Sequence, residues 1–108
     1  MNLNELVRAV HEQAIRSGWW EKDLIRTPLE IHMLCVSEIA EATESVRKGE
    51  LPEFMDDKCK PQGEAVELAD CVIRICDYFG YKDWDLEDVI ARKLTYNKSR
   101  EYRHGKKL

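Results

Sequence analysis

One segment of the chain, residues 63–79, is apolar on nearly every side when its residues are placed about 100° apart on a helical wheel. A helix of this kind needs neighbouring helices over most of its surface, so it belongs near the centre of a helical bundle. Its only polar stripe is narrow and consists of Glu67, Asp70, Arg74 and Asp77. Considered alone, this stripe predicts a solvent-facing edge.

Two helices are predicted before this central segment. The first runs from about Asn4 to Ser17, with apolar residues at helical spacing and a glycine after its end. The second begins at Thr27-Pro28-Leu29-Glu30, where a capping box is combined with proline at the first helical position. It continues to about Lys48.

The rest of the chain also favours helices. The central helix is predicted to stop at Gly80, and a fourth helix to begin at Asp85 and end near Arg100 or Tyr102. Residues 49–62 contain two prolines and many charges, which predicts a loop, and no segment alternates as a strand does. The sequence therefore predicts an all-α, four-helix bundle-like single domain over residues 1–108.

Chain length and composition bear on the oligomeric state and the cellular location of this domain. A chain of 108 residues buries a limited fraction of its surface alone, which favours a subunit interface. Its apolar runs are far shorter than the roughly 18 residues that span a bilayer. The start of the chain has no secretory signal, and the four cysteines form no Cys-x-x-Cys, so we expect free thiols and a cytoplasmic location.

Charge is distributed unevenly along the chain, whose formal net charge is −4. Residues 92–108 contain seven basic residues and one acid, including a basic tail at about 101–108, whereas the rest is acidic. An acidic body does not attract a polyanion uniformly, so no stable nucleic-acid binding is expected. The basic end is equally consistent with local phosphate binding and with a solvated tail or weak nucleic-acid arm.

Two acidic pairs carry the strongest chemical signal. Glu38 and Glu41 on the second helix, and Glu67 and Asp70 on the central helix, have the i, i+3 spacing that places both carboxylates on one side of a helix. Glu38 lies among apolar neighbours, where a carboxylate costs several kcal/mol unless a cation or strong donors compensate. Because Glu38 on the second helix is predicted to point inward, we expect the acids of the central helix to share a site with it and not to face solvent. Mg²⁺ prefers such oxygen ligands and leaves positions open for substrate phosphates.

The fourth helix changes character along one face. Leu86, Val89 and Ile90 define an inward face, which continues as Lys93, Asn97 and Arg100. Basic side chains snorkelling from the end of a core would produce this pattern, as would a clamp for phosphate oxygens. A di-iron site of the ferritin type is disfavoured because it uses two Glu-x-x-His pairs and the sequence contains one, Glu101 with His104. Zinc is disfavoured by the spacing of the cysteines and histidines.

With these motifs, the chain resembles the MazG-like superfamily of all-α nucleoside triphosphate pyrophosphohydrolases. The family pattern E-x-x-E, a spacer and E-x-x-D matches the two acidic pairs, and its K-x-x-x-N-x-x-R element matches Lys93, Asn97 and Arg100. The ending from Tyr102 to Lys106 is similar to short, single-domain members. The resemblance covers about residues 5–107.

The resemblance implies a reaction and a set of roles. Glu38, Glu41, Glu67 and Asp70 would bind Mg²⁺, with Mn²⁺ as a substitute, and the bond between the α and β phosphates would be hydrolysed to give a nucleoside monophosphate and pyrophosphate. Lys93, Asn97 and Arg100 would hold phosphate oxygens, and His11 and Trp20 would line the base pocket. Glu41 is the candidate general base. The family also implies a homodimer or homotetramer, with the active site completed near a subunit interface, that maintains the nucleotide pool.

Two alternatives remain open on the sequence. In the first, the chain is a non-enzymatic helical oligomer, an adaptor or regulator whose acids serve solubility and pairing. In the second, it is a pyrophosphatase for another substrate, such as phosphoribosyl-ATP. Only the spacing of His11 and Trp20 favours a free nucleotide.

Overall fold

The computed structural model describes residues 1–22 and 26–100 of the chain. Its elements are α1 (Leu3–Arg16), α2 (Pro28–Arg47), β1 (Phe54–Met55), β2 (Pro61–Gln62), α3 (Glu64–Lys82) and α4 (Leu86–Lys98). The all-α class is therefore confirmed. Within the described ranges, no helix combines the length and apolar character needed to cross a membrane. The basic tail at 101–108, including the motif from Tyr102 to Lys106, lies outside the described residues.

The predicted helix starts are confirmed by their caps. The Thr27 hydroxyl accepts a hydrogen bond from the Glu30 backbone N–H, and the Glu30 side chain reaches back to the Thr27 backbone, which completes the capping box. Asp85 caps α4 by accepting from the Asp88 backbone N–H at 2.9 Å. Gly49 follows α2 with φ +70°, a left-handed conformation that glycine adopts without steric cost.

The predicted stop at Gly80 is wrong, because α3 continues to Lys82. The left-handed residue that caps this helix is Asp83, with φ 55°. Gly80 instead permits a close approach of two helices, since a Cβ at this position would lie 2.5 Å from the Cβ of His11 on α1. The glycine is therefore a packing requirement inside the helix.

The predicted loop contains a short antiparallel hairpin that the sequence analysis missed. Phe54 pairs with Gln62 and Met55 with Pro61, so each strand is too short to show an alternating pattern. The turn also lacks an Asn-Gly or Asp-Gly pair. Its geometry comes from the Asp56 carboxylate, which accepts hydrogen bonds from the backbone N–H groups of Lys58 at 2.8 Å and Lys60 at 2.9 Å.

Helix α3 packs against both α1 and α2, as its apolar surface predicts. It runs antiparallel to α2, because Arg74 contacts Glu38 while Tyr78, one turn later, meets His32, which lies earlier on α2. A small core forms where α1, α3 and the start of α4 meet; its buried members are Val7, Cys76 and Leu86. The acidic pairs lie away from this core, at the α2–α3 contact.

Helix α4 is attached to the rest of the chain mainly through its first turn. Asn4 of α1 donates from its side chain to Asp85 at 3.0 Å and exchanges hydrogen bonds with Glu87, 3.2 Å in each direction. Beyond this turn, the face predicted to be core is open: Val89 is 39% exposed and Ile90 is 40% exposed. The prediction that this face packs inward holds for Leu86 but is wrong for these two residues in the single chain.

Much apolar surface of the single chain is uncovered. On α3 the exposed stripe is Leu68, Val72 and Ile75, and on α2 it is Leu29, Met33 and Val36. The radius of gyration is 16.7 Å, compared with about 13 Å for a compact domain of about 100 residues. The central helix is thus only partly enclosed by its own chain.

Candidate active site

Three of the four predicted metal ligands meet between α2 and α3. One ligand oxygen from each of Glu38, Glu67 and Asp70 can be chosen so that all three lie within 4.8 Å of one another. Glu38 is 7% exposed and Glu67 is 9% exposed, and Asp70 is half-buried. Glu67 and Asp70 on the polar stripe of α3 therefore face Glu38 on α2, as the two acidic pairs together predict; the solvent edge that the stripe predicts when considered alone is wrong at these positions. Glu41 is exposed and borders the same space.

The Glu38 carboxylate is only partly satisfied. Its Oε1 accepts a hydrogen bond from Arg74 Nε at 3.0 Å. Its Oε2 is buried and has no hydrogen-bond partner among the residues that the structure describes. A buried carboxylate oxygen without a partner is costly, so this atom has the environment of a ligand for a cation.

Burial and the closeness of the carboxyl groups raise the pKa values of Glu67 and Asp70. The pKa of Glu67 is raised from 4.5 to about 7. Burial is the main cause, followed by hydrogen bonds of the protonated carboxyl with Glu41 and Glu38 and by the negative charges of Glu41 and Asp70. Burial and then the charge of Glu38 also raise the pKa of Asp70, while Arg74 opposes this shift. A bound cation would relieve the repulsion.

Two cavities meet at this cluster. The first, here called the acidic cavity, has a volume of about 560 Å³ and is lined by Glu38, Glu41, Glu67, Asp70, two lysines and part of the hairpin. The second, here called the aromatic cavity, has a volume of about 390 Å³ and is lined by Trp19, Trp20, Asp77, Tyr78 and apolar residues of α1 and α2. Glu38 and Asp70 are the residues that line both cavities. The acids thus separate an anionic compartment from an aromatic one.

His11 and Trp20, the predicted base-pocket residues, are joined by an aspartate. The Oδ1 atom of Asp77 lies 2.7 Å from His11 Nδ1 and accepts a hydrogen bond from Trp20 Nε1 at 2.9 Å. The Trp20 ring stacks on Tyr81 with centroids 4.0 Å apart. Trp20 and Asp77 line the aromatic cavity, and His11 does not. Asp77 was missed as a site residue, although it lies on the same polar stripe as Asp70.

The predicted phosphate clamp on α4 does not border the acidic cluster of the same chain. Neither Lys93, Asn97 nor Arg100 lines the acidic or the aromatic cavity. The Lys93 ammonium lies 5.0 Å from the centroid of the Tyr96 ring, and the Arg100 guanidinium lies 5.5 Å from it. These side chains form a cation–π cluster on an exposed part of α4.

Two cations that the sequence analysis overlooked do border the acids. Lys48, at the end of α2, and Lys60, in the hairpin, both line the acidic cavity. Lys60 falls inside the predicted loop, where helical spacing gives no information about which way a side chain points. Lys48 ends the predicted second helix, and helical spacing places it on the solvent face with Glu44, whereas the structure places both lysines at the acidic cavity. For Lys60 the signal is the hairpin, which brings this residue to the acidic cavity.

Comparison with protein-family models, with curated proteins and with solved structures gave no match to this chain. The arrangement of residues described above is therefore the basis for assigning a function.

Proposed function

We propose that this protein is a Mg²⁺-dependent pyrophosphohydrolase that converts nucleoside or deoxynucleoside triphosphates to the monophosphate and pyrophosphate. Its proposed role is housekeeping of the cytoplasmic nucleotide pool. The observation that carries the proposal is the meeting of Glu38, Glu67 and Asp70, whose ligand atoms lie within 4.8 Å. The buried Glu38 Oε2, which has no hydrogen-bond partner among the described residues, also supports a cation at this position.

The donor set fits a hard divalent ion. Mg²⁺, with Mn²⁺ as a substitute, takes carboxylate oxygens and keeps positions for water and phosphate. When bound, the ion supplies neutralisation of phosphate charge and acidifies a coordinated water. Glu38, Glu67 and Asp70 would hold it, and Glu41, which is exposed on the same cavity, is our candidate to accept the proton of the attacking water.

The pair of cavities supports a triphosphate as substrate. An aromatic cavity of about 390 Å³ can take a nucleoside, with Trp20 available for stacking on the base. The adjoining acidic cavity would then take the metal-bound phosphates. Because Glu38 and Asp70 line both spaces, the phosphate nearest the nucleoside would lie beside the metal ligands.

We further propose that the protein works as a homodimer or homotetramer. The exposed apolar stripe of α3 supports this, because burying it against a second copy removes apolar surface from water. In such an assembly Lys93, Asn97 and Arg100 of one copy would act at the acids of another. These three residues could then bind phosphate although they line neither cavity of their own chain.

The direct experiment is a substrate panel with Mg²⁺ or Mn²⁺ in which pyrophosphate release is measured. The panel includes common and damaged nucleoside triphosphates and phosphoribosyl-ATP, so that the two pyrophosphatase hypotheses are separated. We expect turnover of at least one nucleoside triphosphate, and loss of turnover in the double variant Glu38→Ala/Asp70→Ala. Glu64→Ala, an exposed acid that lines neither cavity, is the matched control. A wild-type protein that releases no pyrophosphate from any compound would refute the proposal.

A melting experiment separates the enzyme from a non-enzymatic adaptor. Mg²⁺ and a nucleotide that bind the folded state raise the melting temperature, and the double variant should remove that increase. If the acids served only solubility and pairing, the ligands would have no effect on the wild type. The double substitution would then be neutral or stabilising, since it relieves repulsion.

A further inference from the structure

We propose that Lys48 and Lys60 bind the pyrophosphate end of the substrate and of the product, as a cationic wall of the acidic cavity supplied by the same chain. This inference rests on the proposed function and assigns a role to two residues outside the acidic motif. Both lysines line the acidic cavity with Glu41, Glu67 and the other acids. Glu38, whose buried Oε2 has no hydrogen-bond partner among the described residues, also lines this cavity.

The position of Lys60 is fixed by the hairpin. Its backbone N–H donates to Asp56 Oδ1 at 2.9 Å, and its carbonyl accepts from the Asp56 backbone N–H at 3.0 Å. Asp56 Oδ2 also accepts from Gln62 Nε2 at 3.1 Å, which closes the turn onto the second strand. These hydrogen bonds lower the pKa of Asp56, so the carboxylate that organises the turn stays ionised.

The hairpin is in turn attached to the helix that carries two of the acids. The Ala65 backbone N–H in the first turn of α3 donates to the Pro52 carbonyl at 2.9 Å. A Cβ at Gly63 would lie 2.3 Å from that same carbonyl oxygen, so the backbone before the hairpin and the start of α3 are in direct contact. Lys60 is therefore held at a defined place relative to Glu67 and Asp70.

Neither lysine is paired with an acid in the structure. Across residues 1–22 and 26–100, no carboxylate oxygen lies within 4.0 Å of the ammonium group of Lys48 or Lys60. The positive charge of Lys60 nevertheless acts at the cluster: burial raises the pKa of Asp70 overall, and Lys60 is a minor influence that opposes this rise. Two unpaired ammonium groups beside a carboxylate cluster suit a ligand that carries both a divalent cation and several negative oxygens, and magnesium pyrophosphate has this composition.

The arrangement also gives the substrate a direction. The nucleoside would lie in the aromatic cavity, the first phosphate beside Glu38 and Asp70, and the distal phosphates toward Lys48 and Lys60. Lysines at this end would contact the part of the substrate that departs. They would therefore affect the affinity for triphosphate and for the pyrophosphate product, and would have little influence on the nucleoside monophosphate.

The test is calorimetric titration of inorganic pyrophosphate, in the presence of Mg²⁺, into the wild type, Lys48→Ala, Lys60→Ala and the double variant. Lys58→Ala is the control for the hairpin and Arg47→Ala for the end of α2, because neither of those residues lines the cavity. We expect each cavity lysine to contribute about fivefold in affinity, as a charge-assisted contact near the surface does, with unchanged binding in the controls. Wild-type pyrophosphate affinity in both lysine variants would overturn the inference, as would a wild-type protein that does not bind magnesium pyrophosphate.

Kinetics with a hydrolysed triphosphate supply a second readout. Loss of a contact made equally in the ground and transition states raises KM with little change in kcat, and the inhibition constant of pyrophosphate should rise by the same factor. If the lysines served only to balance the negative charge of the acids, their removal would change the affinity for Mg²⁺. It would leave KM and the inhibition constant of pyrophosphate unaltered. Failure of the inference then appears as normal pyrophosphate binding by the lysine variants of an active enzyme. Failure of the proposed function appears as an inactive wild type.

Discussion

Replacing Glu67 with glutamine should stabilise the metal-free protein at alkaline pH. Glu67 is 9% exposed, and its pKa is raised from 4.5 to about 7. Because the folded state holds this proton more tightly than the unfolded chain, Glu67 favours folding fully below about pH 4.5, and this contribution is lost as the pH rises to about 7. Glutamine has no charge to desolvate and can donate to the neighbouring carboxylates as the protonated acid does.

The magnitude follows from the size of the shift. One pKa unit corresponds to about 1.4 kcal/mol, so the shift of Glu67 sets an upper bound of about 3 kcal/mol on the change in unfolding free energy between pH 4.5 and 8. With allowance for residual solvation, we expect Glu67→Gln to exceed the wild type by on the order of 1–3 kcal/mol at pH 8. Near pH 4.5 the difference should vanish.

The assay is urea unfolding at fixed protein concentration across pH 4.5–8, with a chelator present. A fixed concentration is needed because self-association would make the apparent stability depend on it. Glu44→Gln is the matched control, since this exposed acid borders the same cavity without belonging to the ligand triad. A variant that is less stable than the wild type at pH 8, or a stability difference that does not vary with pH, would refute the reasoning. In Mg²⁺ the order should reverse, because the variant loses a ligand.

Three further outcomes are expected. Gly80→Ala should destabilise the fold by about 1–3 kcal/mol in urea unfolding, because its Cβ would lie 2.5 Å from the Cβ of His11. Leu68→Asp, which places a charge on the exposed stripe of α3, should lower the mass measured by light scattering if that stripe is the subunit interface. Asp77→Ala should cost about 1–3 kcal/mol by leaving half-buried donors unpaired, and should alter the fluorescence of Trp20, whose indole N–H donates to this carboxylate.

Two of these substitutions have a matched comparison variant. Gly49→Ala introduces a Cβ with nothing within 4 Å, so its cost reports only the left-handed φ of +70° and should be smaller than that of Gly80→Ala. Glu64→Ala should leave the mass unchanged because it removes no apolar surface. An unchanged mass in Leu68→Asp would exclude the α3 stripe as the interface, and unaltered tryptophan fluorescence in Asp77→Ala would contradict the contact with Trp20.

The sequence was most informative where a residue's role is local. The caps at Thr27 and Asp85 are hydrogen bonds that the capping side chain accepts from a backbone N–H only three residues away, so the identity of the capping residue predicts the geometry. The i, i+3 acids share one side of each helix for the same reason. The burial of Glu38 also followed from its apolar neighbours on the helical wheel.

The sequence was least informative where a role depends on distant residues. Glycine commonly ends helices, so the sequence predicts a helix stop at Gly80. Its role in helix packing depends on the contact with His11, which is far away in the chain. The two-residue strands depend on the turn at Asp56 and carry no periodic pattern of their own. The predicted inward face of α4 failed at Val89 because helical periodicity identifies an apolar face without saying what covers it.

The contact between Gly80 and His11 has an evolutionary consequence. Residue 80 fixes the spacing of two helices, and the imidazole that lies against it is the one that bonds to Asp77. A side chain gained at position 80 would push that imidazole away from the carboxylate. In homologous chains we therefore expect positions 11 and 80 to co-vary, so that a larger side chain at one position is accompanied by a smaller side chain at the other.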